Sequence, residues 1–237
     1  MGSMLSGSIP ESIGQLSALT SLHLWRNQLS GPIPESIGQL SALRSLDLGG
    51  NQLAGCIPAS IGQLTLTSLH LGENELSGYI PEWIGRLSAL TSLYLWGNQL
   101  SGSIPESIGQ LSAVRSLDLG GNQLSGSIPE SIGQLSALTS LDLRDNQLSG
   151  LGGVSSAEKL LPLFDSLGSV SQLRWSQNPW SCPPAAVMAQ GVDAVKRFYK
   201  ELKDCGRETA CIRELKIVFI GRSGVGKTSL MKSVMDG

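Results

Sequence analysis

The chain repeats itself. The unit LSGSIPESIGQLSALTSLDLRDNQ recurs from Leu5, Leu29, Leu53, Leu76, Leu100 and Leu124. Five of the six copies have 24 residues, and the copy at Leu53 has 23 because SALTSL is shortened to TLTSL. A seventh, degenerate copy carries Val170, Leu173, Trp175 and Asn178, with Asn178 lying 32 residues after Asn146. The difference corresponds to about eight residues inserted around GGVSSAEKLLPLF. A repeat at this period dictates one supersecondary unit per copy, stacked on its neighbours. One copy has too few apolar side chains to offset the ordering of its own backbone, so the copies must stack to fold.

Within each copy the pattern L-x-x-L-x-L-x-x-N stands out, as in Leu19, Leu22, Leu24 and Asn27, or Leu138, Leu141, Leu143 and Asn146. In SLDL the leucines alternate with polar residues, which predicts a short strand with Leu141 and Leu143 inward and Ser140 and Asp142 outward. The Asn turns the chain, and its amide can bond backbone groups that have left the strand. After Pro129, ESIGQLS predicts a short helical or 3₁₀ segment on the outer side. The strands of successive copies are expected to form one parallel sheet.

The unit LSGxIPxxIGxLxxLxxLxLxxN resembles the plant-type subclass of leucine-rich repeat proteins, over residues 5 to about 180. That resemblance implies an α/β solenoid: a horseshoe with a parallel sheet on its concave face, and a second short strand near SGxI.

The outward strand positions are then His23 and Trp25, Asp47 and Gly49, His70 and Gly72, Tyr94 and Trp96, Asp118 and Gly120, and Asp142 and Arg144. Trp25, Tyr94 and Trp96 are large, aromatic and expected to be exposed, as interface anchors often are. They could equally pack sideways over the Gly-rich gaps beside them. With His23, His70 and Arg144 they form the candidate surface for a protein partner. His23 and His70 lie two copies apart, too far to share a metal ion. LHLWRN (22–27) parallels LYLWGN (93–98), and LRSLDLGGNQL (43–53) parallels VRSLDLGGNQL (114–124). This reads as a three-copy block duplicated, so recurrence alone is no sign of a ligand. No polar segment precedes Leu5, which predicts an exposed apolar end on the first coil.

Charge narrows the partners. Charged residues make up 15% of the chain and the net charge is −2, so a nucleic-acid surface is not expected. No basic segment followed by an apolar run opens the chain, and LKIVFI is too short to span a bilayer. Cys56, Cys182, Cys205 and Cys211 have no framework spacing, which favours free thiols in a reducing, cytoplasmic setting, although Cys205 and Cys211 could pair in an oxidising one.

Past residue 180 the pattern stops. Pro179, Pro183 and Pro184 break regular structure. Val195, Phe198, Tyr199 and Leu202 then share one helical face, with Lys196, Arg197, Lys200 and Lys203 opposite. The expected organisation is a repeat solenoid over 1–180, a capping or linker helix over 181–211, and a separate segment over 212–237. The helix either covers the last repeat or docks a further domain.

That last segment contains Gly221, Arg222, Ser223, Gly224, Val225, Gly226, Lys227 and Thr228, followed by Ser229, matching G-x-x-x-x-G-K-[ST]. LKIVFI before it reads as a buried strand, and SLMKSVM after it as the start of a helix. Strand, Gly-rich turn and helix N-terminus make a phosphate cradle. Backbone N–H groups approach the phosphates, Lys227 reaches the β and γ groups, and the Thr228 hydroxyl ligates Mg²⁺. The order of repeats, NPWSCPPAAVMAQGVDAVKRFYKEL and ELKIVFIGRSGVGKTSL resembles the Roco family, in which repeats precede a Ras-like Roc GTPase domain and a COR dimerisation domain. The resemblance implies GTP with Mg²⁺ as cofactor, a signalling role, and repeats that sense or scaffold a partner. The chain then reads as a Roco-like protein cut short just after its phosphate loop. It has no D-x-x-G or [NT]KxD after the loop, so no catalytic residue is named. One strand and about two turns of helix are expected to bind nucleotide only weakly by themselves. The alternatives are a full-length GTPase whose catalytic elements lie further on, and a repeat-only binding protein with a vestigial loop.

Overall fold

The computed structural model describes residues 4–151 and 170–204. Seven short strands, Ser21–His23, Ser45–Asp47, Ser68–His70, Ser92–Tyr94, Ser116–Asp118, Ser140–Asp142 and Gln172–Arg174, form one parallel sheet in sequence order. Each strand comes from one copy, including the degenerate seventh. Register is strict: Leu22, Leu46, Leu69, Leu93, Leu117, Leu141 and Leu173 stand side by side. The leucine side of the sheet is the core, with Leu46, Leu69, Leu93 and Leu141 fully buried.

A second parallel sheet of seven strands runs alongside, from Ser6–Gly7 to Gln147–Leu151, as the plant-type repeat implies. Between the two sheets each of six copies closes with a 3₁₀ turn, such as Glu35–Gln39 and Glu130–Gln134. The proline before each turn holds an extended backbone and accepts the first bond of the turn, as Ile132 N–H to Pro129 O at 3.2 Å.

The asparagines tie coil to coil. Asn98 Nδ2 donates to the carbonyls of Leu71, Leu95 and Trp96 at 3.0, 3.0 and 3.3 Å, and Asn98 Oδ1 accepts the Leu76 N–H at 3.0 Å. Asn51, Asn74, Asn122, Asn146 and Asn178 repeat the arrangement. The ladder satisfies strand-end carbonyls such as Leu71 O and Leu95 O, and adds a second donor to Trp96 O, which already takes the Glu73 N–H at 2.8 Å.

At the first coil Leu5 and Leu16 are each 52% exposed, in keeping with an uncovered apolar end. At the other end the chain folds over its last coil. The helix Val192–Asp204 places Val195 and Tyr199 in the core, with Phe198 packed against it. Trp175 Nε1 donates to Met188 O at 3.2 Å, and Trp180 Nε1 to Trp175 O at 3.1 Å. Burial alone raises the Tyr199 phenol far above its ordinary value.

Cys182 is disulfide-bonded, and Cys56 is a free, exposed thiol. This corrects the expectation of free thiols throughout. Residues 205–237, with Cys205, Cys211 and the whole phosphate-loop motif at 221–229, lie outside the described residues.

Candidate functional site: the open face of the repeat sheet

The strand register sets a row of side chains on the open face of the sheet. Reading across the copies it runs His23, Asp47, His70, Tyr94, Asp118, Asp142 and Arg174, each beside the next. Two residues further along each chain stand Trp25, Gly49, Gly72, Trp96, Gly120 and Arg144.

Two depressions break this face. The first, about 400 Å³, is lined by Trp25, Asp47, Gly49, His70, Gly72, Tyr94 and Trp96. Its shape follows from the sequence W-G-G-W across four copies. The indole of Trp25 leans onto the neighbouring Gly49, where a Cβ would lie 3.1 Å from Cδ1. Trp96 leans the other way onto Gly72, where a Cβ would lie 2.6 Å from Nε1. Each glycine is thus the seat of an indole, and the two tryptophans wall a slot between them. They remain accessible, Trp25 at 51% and Trp96 at 39%. Both sequence expectations for these residues hold at once: they pack sideways over glycines and they stay exposed. Tyr94 departs from expectation and is half-buried, because the His70 ring meets it edge to face at 4.5 Å.

The polar floor of the slot is ordered. Asp47 Oδ1 accepts the Gly49 N–H at 3.1 Å, and Oδ2 lies 3.6 Å from His70 Nδ1. His70 Nε2 meets the Ser68 hydroxyl at 3.0 Å. The Arg26 guanidinium sits 4.2 Å from the centroid of the Trp25 ring.

The second depression, about 350 Å³, lies toward the C-terminal copies and shares Tyr94 with the first. Its lining includes Asp118, Asp142, Ser116, Gln172 and Arg174. Asp142 holds Arg144 through Nε at 3.0 and 3.1 Å and Nη2 at 2.9 Å, with Arg174 Nη1 at 3.6 Å. Burial pushes the Asp118 carboxyl up, opposed by the Gly120 N–H that it accepts at 3.0 Å.

Of the candidate residues, Trp25, His70, Tyr94 and Trp96 gather at one site. Arg144 stands apart from them with Asp142, and His23 lines neither depression, its Nε2 meeting the Ser45 hydroxyl at 2.9 Å. Sequence reasoning missed Arg174. It falls in the copy displaced by the insertion, and aligning LRW (173–175) on Asn178 would have found it.

Leucine rich repeat family models match residues 6–53 and 90–148, and a second such model matches residues 65–87. The BIR2 ectodomain from Arabidopsis thaliana is 38% identical, with 56% of this chain covering 69% of that one at a TM-score of 0.50. This chain belongs to the leucine-rich repeat family. The repeat array is also similar to the Arabidopsis receptor kinase HAESA, crystallised with the peptide hormone IDA and the co-receptor SERK1. Identity there is 38%, over 75% of this chain and 29% of that one, at a TM-score of 0.66. A plant ice-binding protein is 31% identical over 75% of this chain and 55% of its own, at a TM-score of 0.64. The chain therefore spans under a third of the receptor ectodomain and about half of the ice-binding protein. No curated protein matches the chain. The repeat array accounts for these likenesses, and none of the matched families is a nucleotide-binding one.

Proposed function

We propose that this leucine-rich repeat array is a ligand-binding module that holds an extended peptide or protein segment across its open sheet face. The observation that carries the reading is the pair Trp25 and Trp96, large apolar side chains kept accessible on either side of a slot. Exposed indoles over a rigid floor are favoured anchors, since they bury much area with little side-chain entropy to lose. The likeness to HAESA, which was crystallised with a peptide hormone, supports the same reading. No helix among the described residues is long and apolar enough to cross a membrane.

Selection of peptides from a random library on the purified chain, followed by hydrogen exchange with the best binder, tests this. Protection is expected in the Ser21–Arg26 and Ser92–Gly97 segments. Protection confined to the 3₁₀ turns on the opposite side would contradict it.

A second reading rests on one sequence observation, the motif at 221–228. In it the repeats belong to a Roco-like signalling protein, cytoplasmic, and Gly221, Ser223, Gly224, Gly226, Lys227 and Thr228 hold GTP with Mg²⁺. The disulfide at Cys182 suits an oxidising compartment better and favours the first reading. Isothermal titration with GTP and Mg²⁺ separates them. Micromolar binding lost in Lys227→Ala would show a phosphate loop that works in this chain and overturn the expectation of weak binding; weak or no binding is what one strand and a short helix lead one to expect, and leaves the first reading in place.

A further inference from the structure

We propose that the slot between Trp25 and Trp96 is a cation-binding site that takes the side-chain ammonium or guanidinium of a basic residue in the bound ligand. The inference deepens the peptide-binding reading and rests on it.

Three features of the slot select a cation. First, three aromatic side chains line it: Trp25, Trp96 and Tyr94. Ring faces attract cations and do nothing for anions, with tryptophan the strongest. Second, the only fixed charge in the lining is the Asp47 carboxylate. Its side chain is 24% exposed, one oxygen is held by a single backbone N–H, and the other has only His70 at 3.6 Å. A neutral apolar occupant would cover that carboxylate without a counter-charge, which costs free energy. An anionic occupant would meet it directly. A cation offsets it and keeps the ring contacts. Third, an indole at this site already receives a guanidinium: Arg26 lies 4.2 Å from the Trp25 ring. Arg26 is not among the residues that line the slot.

The floor matters as much as the walls. Gly49 and Gly72 carry no side chain that would displace the indoles seated on them, so Trp25 and Trp96 hold their places beside the slot before a ligand arrives. A single long basic side chain fits this geometry, with its methylene stem between the indoles and its charge toward Asp47.

The test uses indole N–H resonances in a ¹⁵N-labelled sample of the full chain, assigned by Trp25→Phe and Trp96→Phe. The probes are N-acetyl-lysine methylamide and its uncharged counterpart N-acetyl-norleucine methylamide. The lysine compound is expected to shift the Trp25 and Trp96 signals saturably while Trp83, Trp175 and Trp180 stay fixed and report an intact fold. The norleucine compound is expected to bind about tenfold more weakly. Asp47→Asn should weaken the lysine probe about threefold or more and leave norleucine bound at least as tightly as before. Equal shifts with both probes would overturn the proposal and leave an apolar slot. No shift with either would overturn it too, and binding of a library-selected peptide elsewhere on the sheet face could still stand.

Discussion

A single asparagine per copy does much of the work of joining coils. Asn98 is 8% exposed and makes four hydrogen bonds to backbone groups in its own coil and the preceding one. Replacing it leaves the buried Leu76 N–H unsatisfied and takes one of two donors from Leu71 O and Leu95 O, which keep Asn74 Nδ2 and Asn122 Nδ2 at 3.1 Å. Asn98→Ala is expected to cost about 1–3 kcal/mol in urea unfolding. A loss under about 0.5 kcal/mol would mean that water replaces the amide. Asp118 offers a test with the opposite sign. Burial raises its carboxyl pKa, so the folded chain holds that proton more tightly than the unfolded chain does. The group's contribution to stability is therefore best in acid and declines as pH rises through the unfolded value to the raised folded one. Asp118→Asn removes the decline and can still accept the Gly120 N–H. Its melting temperature relative to the parent should be more favourable at pH 7 than at pH 3, and the reverse order would show that Arg144 and Arg174 outweigh burial.

Between elements, the tightest constraint lies where the 3₁₀ turns stack. A Cβ on Gly109 would fall 2.5 Å from Ser131 O and 2.6 Å from Ser131 Cβ, both in the next turn. Backbone on one side leaves no flexible group to move aside. Gly109→Ala is expected to destabilise the chain by about 1–3 kcal/mol, measured by denaturant midpoint at constant slope. An unchanged midpoint would mean that the turns slide apart freely. Much at this scale was legible in the sequence. The leucine alternation placed the sheet strands, the proline placed each 3₁₀ turn, and the SGxI resemblance placed the second sheet. Their physical basis is local and repeats in every copy. Contacts made once were not legible. The half-burial of Tyr94 behind His70 depends on which residues the stacking brings side by side. Arg174 was hidden by the insertion before the seventh copy. The seating of each indole on a neighbouring glycine was readable only as one of two alternatives.

Over the whole molecule, a stack of near-identical coils produces a face that is far from uniform. Its first four copies carry the aromatic slot with Asp47, and its last copies carry Asp118, Asp142, Arg144 and Arg174. The core holds the same leucines throughout, so the differences lie where they cost the fold little and a ligand can read them. The central claim is that this face, anchored at Trp25 and Trp96, is the binding surface. The most direct measurement is the affinity of a library-selected peptide for the parent chain and for the double variant Trp25→Ser, Trp96→Ser, by fluorescence anisotropy with melting temperatures taken in parallel. The account predicts at least about a tenfold loss of affinity at a nearly unchanged melting temperature. Equal affinity for the two proteins would contradict it.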